Sequence, residues 1–524
     1  MRKYGSFHRV CILVLLILLS CCAACVSQSA SDAAAPAHTP VCLKIYMTGD
    51  ALYQDNAVLF YHTSYSLGEY INRSLMWGPQ GHLYFSALEQ YEKETGNAVE
   101  VVYFDYPSEL FDQLAEDKKK EALPDLIVAD ATTEGFNTYA YMHDSYFIDL
   151  SSYLEADRQN YYEAVLNGGK LGEKQYIFPL LFNVTVGMGD AEKIREEGLW
   201  LDAGLALKDY LTKLTSHLET TGNRNNYEGI VQFSTPLWYS LFQMVDSSSG
   251  VSLIDYETSR PCVSEAYVKD LYTFWEAYIR QNFGPEWEEA KNSAKENENL
   301  LPYNQMEWSG LSKLVAESML LDEVMDDMTL LVEGGGYSTV LMHSALAQAY
   351  YYQSRYQDAG KEFICFGVPC YERADAYTAN ITMFGGVTVS CEHAQAAYEF
   401  LRYLADFETA WQLGLSVNKE RTSEQLSQMT EMEHTFYPFS GKYDPTIEEK
   451  TYDGEPYYIQ PMGETVEAVF QNLLNHMGPA TLPEEDARWI LFEKISQGII
   501  EEWPAEQVYQ SIQTALEAYC QIIL

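Results

Sequence analysis

Between Val99 and Asp130 the chain contains a unit that few folds can accommodate. Val99–Asp105 (VEVVYFD) is a β run. Pro107 and Ser108 then open a helix over Glu109–Lys120, with Leu110, Phe111 and Leu114 inward and Lys118–Lys120 in the last turn, where the helix dipole favours cations. Pro124-Asp125 leads into Leu126–Ala129 (LIVA), a short strand without a polar residue that ends at Asp130. Buried apolar strands joined through a helix belong in a parallel sheet covered by helices. The expected fold class is therefore α/β. In such sheets a ligand meets the carboxyl ends of the strands, which nominates Thr48–Asp50, after the first strand Cys42–Met47, and Asp130–Thr133.

A second constraint lies in Gln175–Trp200. The aromatic-apolar run Tyr176–Phe182 is broken by Pro179, which cannot donate to a ladder and so suits an edge or a crossover. Asn183–Met188 is a short β run. Asp190 is an N-cap, and Gly198 a C′ stop, for the helix Ala191–Glu197. Here the chain is expected to leave one α/β lobe and enter another, since 524 residues exceed what one core holds. Gly334–Gly336, ahead of the β run Ser338–Met342, and Gly385-Gly386, within Asn380–Ser390, read as further crossings because glycine permits unusual backbone angles. Leu205–His217, Ala266–Gln281, Ala345–Tyr356 and Ala394–Asp406 read as helices, with a closing helical set over Gly463–Met477, Glu484–Glu501 and Ala505–Leu524.

The formal net charge of −43 argues against nucleic acid or an anionic membrane surface as a partner of the folded part, because both require basic patches. Cysteines are scattered without a pair of metal-binding CxxC motifs, so neither a metal nor a cofactor is expected; Cys365 and Cys370 pair only if a turn joins them across Pro369. No GxSxG, HExxH, P-loop or GxGxxG is present. Asn72-Arg-Ser, Asn183-Val-Thr and Asn380-Ile-Thr fit the glycosylation sequon, which the leader type makes a coincidence. The 41 tyrosines, 9 tryptophans and 22 phenylalanines are mostly packing residues, a few of which can line a stacking pocket for sugar rings.

Arg2, Lys3 and Arg9 precede an apolar Val10–Leu19, too short for the roughly 20 residues a bilayer span needs. Residues 1–20 therefore read as an export signal. Leu18-Leu19-Ser20-Cys21 resembles the lipobox of bacterial lipoproteins, with Cys21 the lipidated residue and Cys25 the weaker alternative. Residues 21–41, Ser/Ala/Pro-rich, read as a flexible tether. The protein is thus expected outside the cytoplasm, anchored to the membrane by lipid alone.

From Cys42 to Leu524 the order of pieces resembles the carbohydrate-type extracellular solute-binding proteins (family 1) of ABC transporters. The motifs that carry the likeness are Leu123–Asp130 (LPDLIVAD), Phe147–Leu154, Tyr176–Leu199, Phe366–Pro369, Phe384–Ser390 and the helix Ala394–Phe407. The 50–81 insertion is longer than that family has, and Asn183-Val184-Thr185 replaces its tyrosine-rich strand start. The resemblance implies a two-lobe periplasmic-binding-protein-like fold of type II, each lobe a mainly parallel sheet flanked by helices. Lobe one would be residues 42–182 plus 343–380 and lobe two 183–336 plus 390–524, with hinge crossings near 179–184, 336–342 and 381–389. It further implies a monomer that captures a sugar or oligosaccharide between the lobes and delivers it to an ABC permease, without catalysis. Hydroxyl-rich rings need polar partners at their edges and aromatics at their faces. The ligand contacts expected are Asp50, Tyr53, Asp130, Asn183, Trp238, Tyr239, Tyr337 and Phe384. Competing expectations are a surface glycoside hydrolase, which needs two carboxyl groups ~5–10 Å apart across a cleft, and a mostly helical glycan-binding lipoprotein.

Overall fold

A computed structural model describes residues 40–48, 87–88, 90–104, 107–130, 137–201, 204–221, 229–232, 245–283, 287–288, 291–292, 338–343, 346–407, 414–431, 434–436, 457–482 and 484–523. β1 (Cys42–Thr48) and β2 (Ala98–Phe104) run parallel, from Cys42 opposite Ala98 to Thr48 opposite Phe104. α1 (Pro107–Lys119) carries the chain across to β3 (Leu126–Asp130), parallel to β1 on its other side. Pro107 is at ease in the first turn, where its missing N–H had no helical partner, and Lys118 and Lys119 close the helix at its negative end. Leu110 and Leu114 are buried, and Tyr46 OH donates to Asp117 Oδ2 at 2.6 Å, pinning helix to strand. α2 (Thr138–His143) and α3 (Glu163–Asn167) follow, then the hairpin of β4 (Lys170–Leu171) and β5 (Lys174–Gln175).

β6 (Phe178–Val184) and β7 (Val186–Asp190) are separated by Thr185 alone, and every residue of both is buried. α4 (Ala191–Glu196) starts at Asp190, whose carboxylate accepts from Glu192 N at 2.9 Å and Lys193 N at 3.4 Å. Gly198, at φ +67°, follows it, so the cap and stop residues read from the sequence are in place. α5 (Leu207–Thr221), β8 (Gly229–Gln232), the short ladder of β9 (Ile254–Asp255) and β10 (Arg260–Pro261), and α6 (Glu265–Phe283) come next. β11 (Ser338–His343), α7 (Leu346–Asp358) and β12 (Phe363–Gly367) complete a second sheet of order β12-β7-β11-β8. β11 is parallel to β8 and antiparallel to β7, and β12 is antiparallel to β7.

Val368–Ala376 returns the chain to the first sheet at β13 (Tyr377–Val387). α8 (Ala394–Asp406), β14 (Leu415–Ser416), α9 (Lys419–Glu431), the pair β15 (His434–Phe436) and β16 (Tyr457–Ile459), α10 (Glu464–Asn475) and β17 (Met477–Thr481) follow. α11 (Glu485–Glu501) and α12 (Ala505–Ile523) come last. The first sheet has the order β14-β6-β13-β3-β1-β2, with β17 also pairing β13.

Two cores correspond to the two lobes. The first gathers β1, β3, β6 and β13 with α8, where Ala397, Phe400, Leu401 and Leu404 form one buried face. The second packs α4, α5, α6, α11 and α12 on Ile364 and Phe366 of β12, with Trp275 fully buried among them. Each fully buried large apolar side chain contributes ~1.5–3 kcal/mol. The opposite face of the second sheet, Met188 and Cys365, joins the first core.

Several expectations are corrected by these pairings. The strands change sheet at Thr185 and at 368–376, not at 336–342 or 381–389, and after β17 the chain continues into two helices that pack in the second core. β11 is an interior strand of the second sheet, and Phe363–Gly367 pairs with β7 there and not in lobe one. Ala394–Asp406, Leu415–Ser416 and Met477–Thr481 belong with the first sheet, so only the last two helices of the C-terminal stretch pack in the second core. Gly385 and Gly386 pair with Val128 and Ile127 in mid-strand. A side chain at Gly386 would meet the Phe147 ring at 2.5 Å, so close packing, not hinge freedom, requires glycine there. Pro179 lies inside β6 opposite Phe384, where the register of β13 shifts and β14 does not reach, an irregular site that spares the missing donor. Cys365 and Cys370 are buried free thiols.

Candidate ligand site at the lobe crossing

The two strands that meet the first passage between the lobes carry the same triplet, Asn183-Val184-Thr185 and Asn380-Ile381-Thr382. Asn183 and Asn380 lie within paired strands, whereas Thr185 directly follows β6 and Thr382 stands where the register of β13 shifts. The antiparallel register sets Asn183 directly opposite Asn380, so both carboxamides leave the sheet on the same side. Asn183 is 9% exposed and Thr185 2%, while Asn380 and Thr382 are half-buried. Asn183 Oδ1, Thr185 Oγ1, Asn380 Nδ2 and Thr382 Oγ1 are all inaccessible to solvent and find no hydrogen-bond partner among the described residues. Asn380 Oδ1 accepts from Thr481 Oγ1 at 3.3 Å, which leaves its amide nitrogen as the free end. Each such orphan costs roughly 1–3 kcal/mol, which makes the four together a candidate site for a ligand.

Gly414, at φ +132°, closes one side of this cluster. A Cβ there would stand 3.1 Å from Phe182 O, 3.2 Å from Asn183 Oδ1 and 3.5 Å from Thr382 Oγ1, so any larger residue would fill the space in front of the two polar ends. The Thr185 carbonyl accepts from Val368 N at 3.1 Å, which ties the first passage to the start of the second. The orphaned set combines amide acceptor, amide donor and two hydroxyls, and none of the four groups is ionisable. It is chemically matched to a neutral, hydroxyl-bearing molecule.

Asn183, expected from the sequence, lies in this cluster. Asp130 ends β3 with its Cα opposite Met383, the neighbour of Thr382, so the backbone brings it to the same end of the sheet. Phe384 is corrected: it is fully buried in the first core, between Ala129 and Pro179 on the flanking strands, and offers no ring face to a ligand. Asp50, Tyr53, Trp238, Tyr239 and Tyr337 lie outside the described residues. Thr185, Asn380 and Thr382 were missed. Both triplets stand in the sequence as sequons, but nothing local sets one opposite the other, which needs the antiparallel register of β6 and β13.

A second polar group surrounds the start of α11. Asp246 accepts from Tyr267 OH at 2.5 Å and faces Arg488 Nε at 2.8 Å, with both charged side chains almost wholly buried. Glu484 accepts from Ser252 Oγ at 3.1 Å and Leu253 N at 3.2 Å. Burial pushes the Glu484 carboxyl up to about 7, against the pull of Arg488 and of those two bonds. Asp246 is also raised, again by burial first. This network is closed on itself and ties α11 to residues 245–253 of the second lobe.

No protein-family model matches the sequence, and no curated protein matches it. Solved structures do match in fold. The sugar-binding protein MalE from Xanthomonas citri aligns over 92% of this chain and 98% of its own, at TM-score 0.55 and 10% identity. The fold is that of the two-lobe periplasmic binding proteins. A putative oligosaccharide periplasmic-binding protein from Synechococcus sp. MITs9220 is similar over 92% and 99% of the two chains, at TM-score 0.52 and 13% identity. An extracellular solute-binding protein family 1 member from Alicyclobacillus acidocaldarius covers the same shares at TM-score 0.50 and 13% identity. A periplasmic-binding-protein fold joins its lobes by a few strands and closes them on a ligand as a hinge. The orphaned cluster lies where this chain makes its first such join.

Proposed function

We propose that this chain is an extracytoplasmic solute-binding protein that captures a neutral sugar or oligosaccharide between its lobes and delivers it to an ABC permease. The observation that carries the reading is the set of four orphaned, uncharged polar atoms on Asn183, Thr185, Asn380 and Thr382, at the point where the chain passes between its sheets. The printed names of the fold neighbours, sugar-binding MalE and an oligosaccharide-binding protein, support the class of ligand. Asp130 would contact the ligand from the end of β3. Asp50, Tyr53, Trp238, Tyr239 and Tyr337 would supply further edge and ring contacts.

In this reading residues 1–20 are an export signal, Cys21 (or Cys25) carries the lipid, and 21–41 are a tether. No helix among the described residues is long and apolar enough to cross a membrane. The protein works as a monomer, without metal or cofactor, and binds no nucleic acid. Titration calorimetry of the full mature chain against a panel of neutral mono- and oligosaccharides tests the core of the proposal. Stoichiometric binding without turnover is expected, lost when Asn183 and Asn380 are both changed to Leu. Cleavage of the bound glycan would reject it in favour of a glycoside hydrolase. Binding that is indifferent to the double change would move the site elsewhere. Labelling with a radioactive fatty acid, lost in Cys21→Ser, tests the anchor.

A further inference from the structure

Helix α2 belongs to the first lobe by its packing: Met142 lies in the first core, and Tyr141 faces the Phe111 ring of α1 with centroids 6.1 Å apart. Its capping residue nevertheless reaches into the second lobe. Asn137 Oδ1 accepts from Ala140 N at 3.0 Å, which caps the helix, while Asn137 Nδ2 donates to Tyr256 OH at 3.1 Å and to Tyr519 OH at 2.8 Å. Tyr256 directly follows β9 and is buried in the second core, and Tyr519 lies on α12, packed against that core. Two residues on from Asn137, the Tyr139 ring stacks on the Tyr256 ring with centroids 4.5 Å apart and planes at 21°. Tyr519 OH passes the chain of bonds on to Asp486 Oδ2 at 3.1 Å, in the first turn of α11.

The backbone passages at Thr185 and 368–376 already connect the lobes, and neither contains Asn137, Tyr256 or Tyr519. The side-chain contact is therefore not needed for connection. What it does is favour one relative position of the lobes over others, because both amide protons of Asn137 are satisfied across the boundary only when α2 meets both tyrosines. We propose that Asn137, Tyr256 and Tyr519 form an interlobe latch that holds the ligand-free protein in the lobe arrangement of this structure and sets how often it leaves it.

The test is single-molecule energy transfer on the ligand-free full chain, with bio-orthogonal dye handles at the exposed Glu155 of the first lobe and Lys269 of the second. Tyr256→Phe keeps the ring stack and removes one hydroxyl. Tyr519→Phe removes the other. Asn137→Ser keeps an N-cap oxygen and removes both amide donors. Each lost hydrogen bond is expected to reduce the ratio of latched to unlatched molecules roughly three- to tenfold, visible as weight leaving the efficiency peak that matches this structure. Circular dichroism checks that each variant is folded. Histograms identical to the wild type in all three folded variants would overturn the proposal.

Discussion

Changing Glu484 to Gln isolates the energetic consequence of a carboxyl group buried at the start of α11. Burial raises this group from 4.5 to about 7, a gap of about 2.5 pH units. At 1.36 kcal/mol per unit, that is about 3 kcal/mol of differential stability. The sign follows from proton counting. The folded protein holds the Glu484 proton up to about pH 7, whereas the unfolded chain releases it near 4.5. Between those values the folded state binds more protons, so stability must fall as pH rises. The favourable contribution is complete below pH 4.5 and is gone once pH has passed about 7. Gln is isosteric with the protonated form. It forgoes one of the two donations, from Ser252 Oγ or Leu253 N, but so does the protonated acid, and the loss cancels at low pH. Urea unfolding of wild type and Glu484→Gln, followed by circular dichroism across this pH range, should give curves that coincide at the acid end. At pH 8 the Gln variant should be the more stable, by about 3 kcal/mol. A difference that does not change with pH, or a wild type more stable than Gln at pH 8, would refute the reasoning.

Other outcomes follow from the same geometry. Arg488→Met leaves buried Asp246 and Glu484 without their cation and should cost about 3–5 kcal/mol at pH 8; because both carboxyls are raised, a thermal melt at pH 5 should show a smaller loss. Gly250, at φ +65°, has space for a Cβ only 2.9 Å from Thr378 Oγ1 and 3.1 Å from Pro479 Cγ. Gly250→Ala should therefore cost at least about 1–2 kcal/mol in a melt, the left-handed strain alone supplying that much. Thr185→Val and Thr382→Val remove hydroxyls that have no partner among the described residues, so melting should stay level or rise, while calorimetric affinity for the bound sugar falls roughly three- to tenfold for each.

Local order was legible in this sequence and long-range return was not. The Asp190 cap, the Gly198 stop and the helix Ala394–Asp406 followed from side-chain chemistry acting over one or two turns, and each is where the residues put it. The parallel core of β1, β2 and β3 followed from an apolar strand, a helix and a second apolar strand in succession. The passages were misplaced because glycine was read as freedom. At Gly385 and Gly386 it is instead a demand of packing, set by Leu401 and Phe147, which are distant in sequence. The site was half legible for a related reason. Asn183 stood out at a presumed crossing, but its partner Asn380 is brought opposite only by an antiparallel register across nearly 200 residues of chain. Phe384 illustrates the converse: a large aromatic beside a glycine pair reads equally well as a ring platform or as core, and only its neighbours Ala129 and Pro179 decide.

The connections between the lobes are not equivalent, and, if the lobes close on a ligand as proposed, their differences favour one place for the pivot. The second is bolted to lobe two: Leu207 N and Lys208 N donate to the Cys370 and Tyr371 carbonyls at 3.1 and 3.2 Å, and Tyr371 N donates to Ser249 O at 2.8 Å. Thr378 Oγ1 adds a bond to Ser248 O at 2.9 Å. The start of α11 is held by the same short helix, residues 245–249, through Asp246 and its pair with Arg488. A Cβ on Gly250, directly after that helix, would meet Cys370 of the second passage, Thr378 of β13 and Pro479 of β17. A rotation of the lobes therefore cannot be absorbed in the second passage without breaking several bonds at once. The first passage is a single residue with extended strand on either side, and its one backbone tie, Val368 N to Thr185 O, runs to the lobe-two end of the second passage. In the proposed solute-binding role the dihedral change of closure should thus concentrate around Thr185, beside the orphaned hydroxyl and amide groups. A ligand that satisfies Thr185 Oγ1 together with Asn183 and Thr382 would then select one setting of the pivot by the bonds it makes, which couples occupancy to closure without a separate relay.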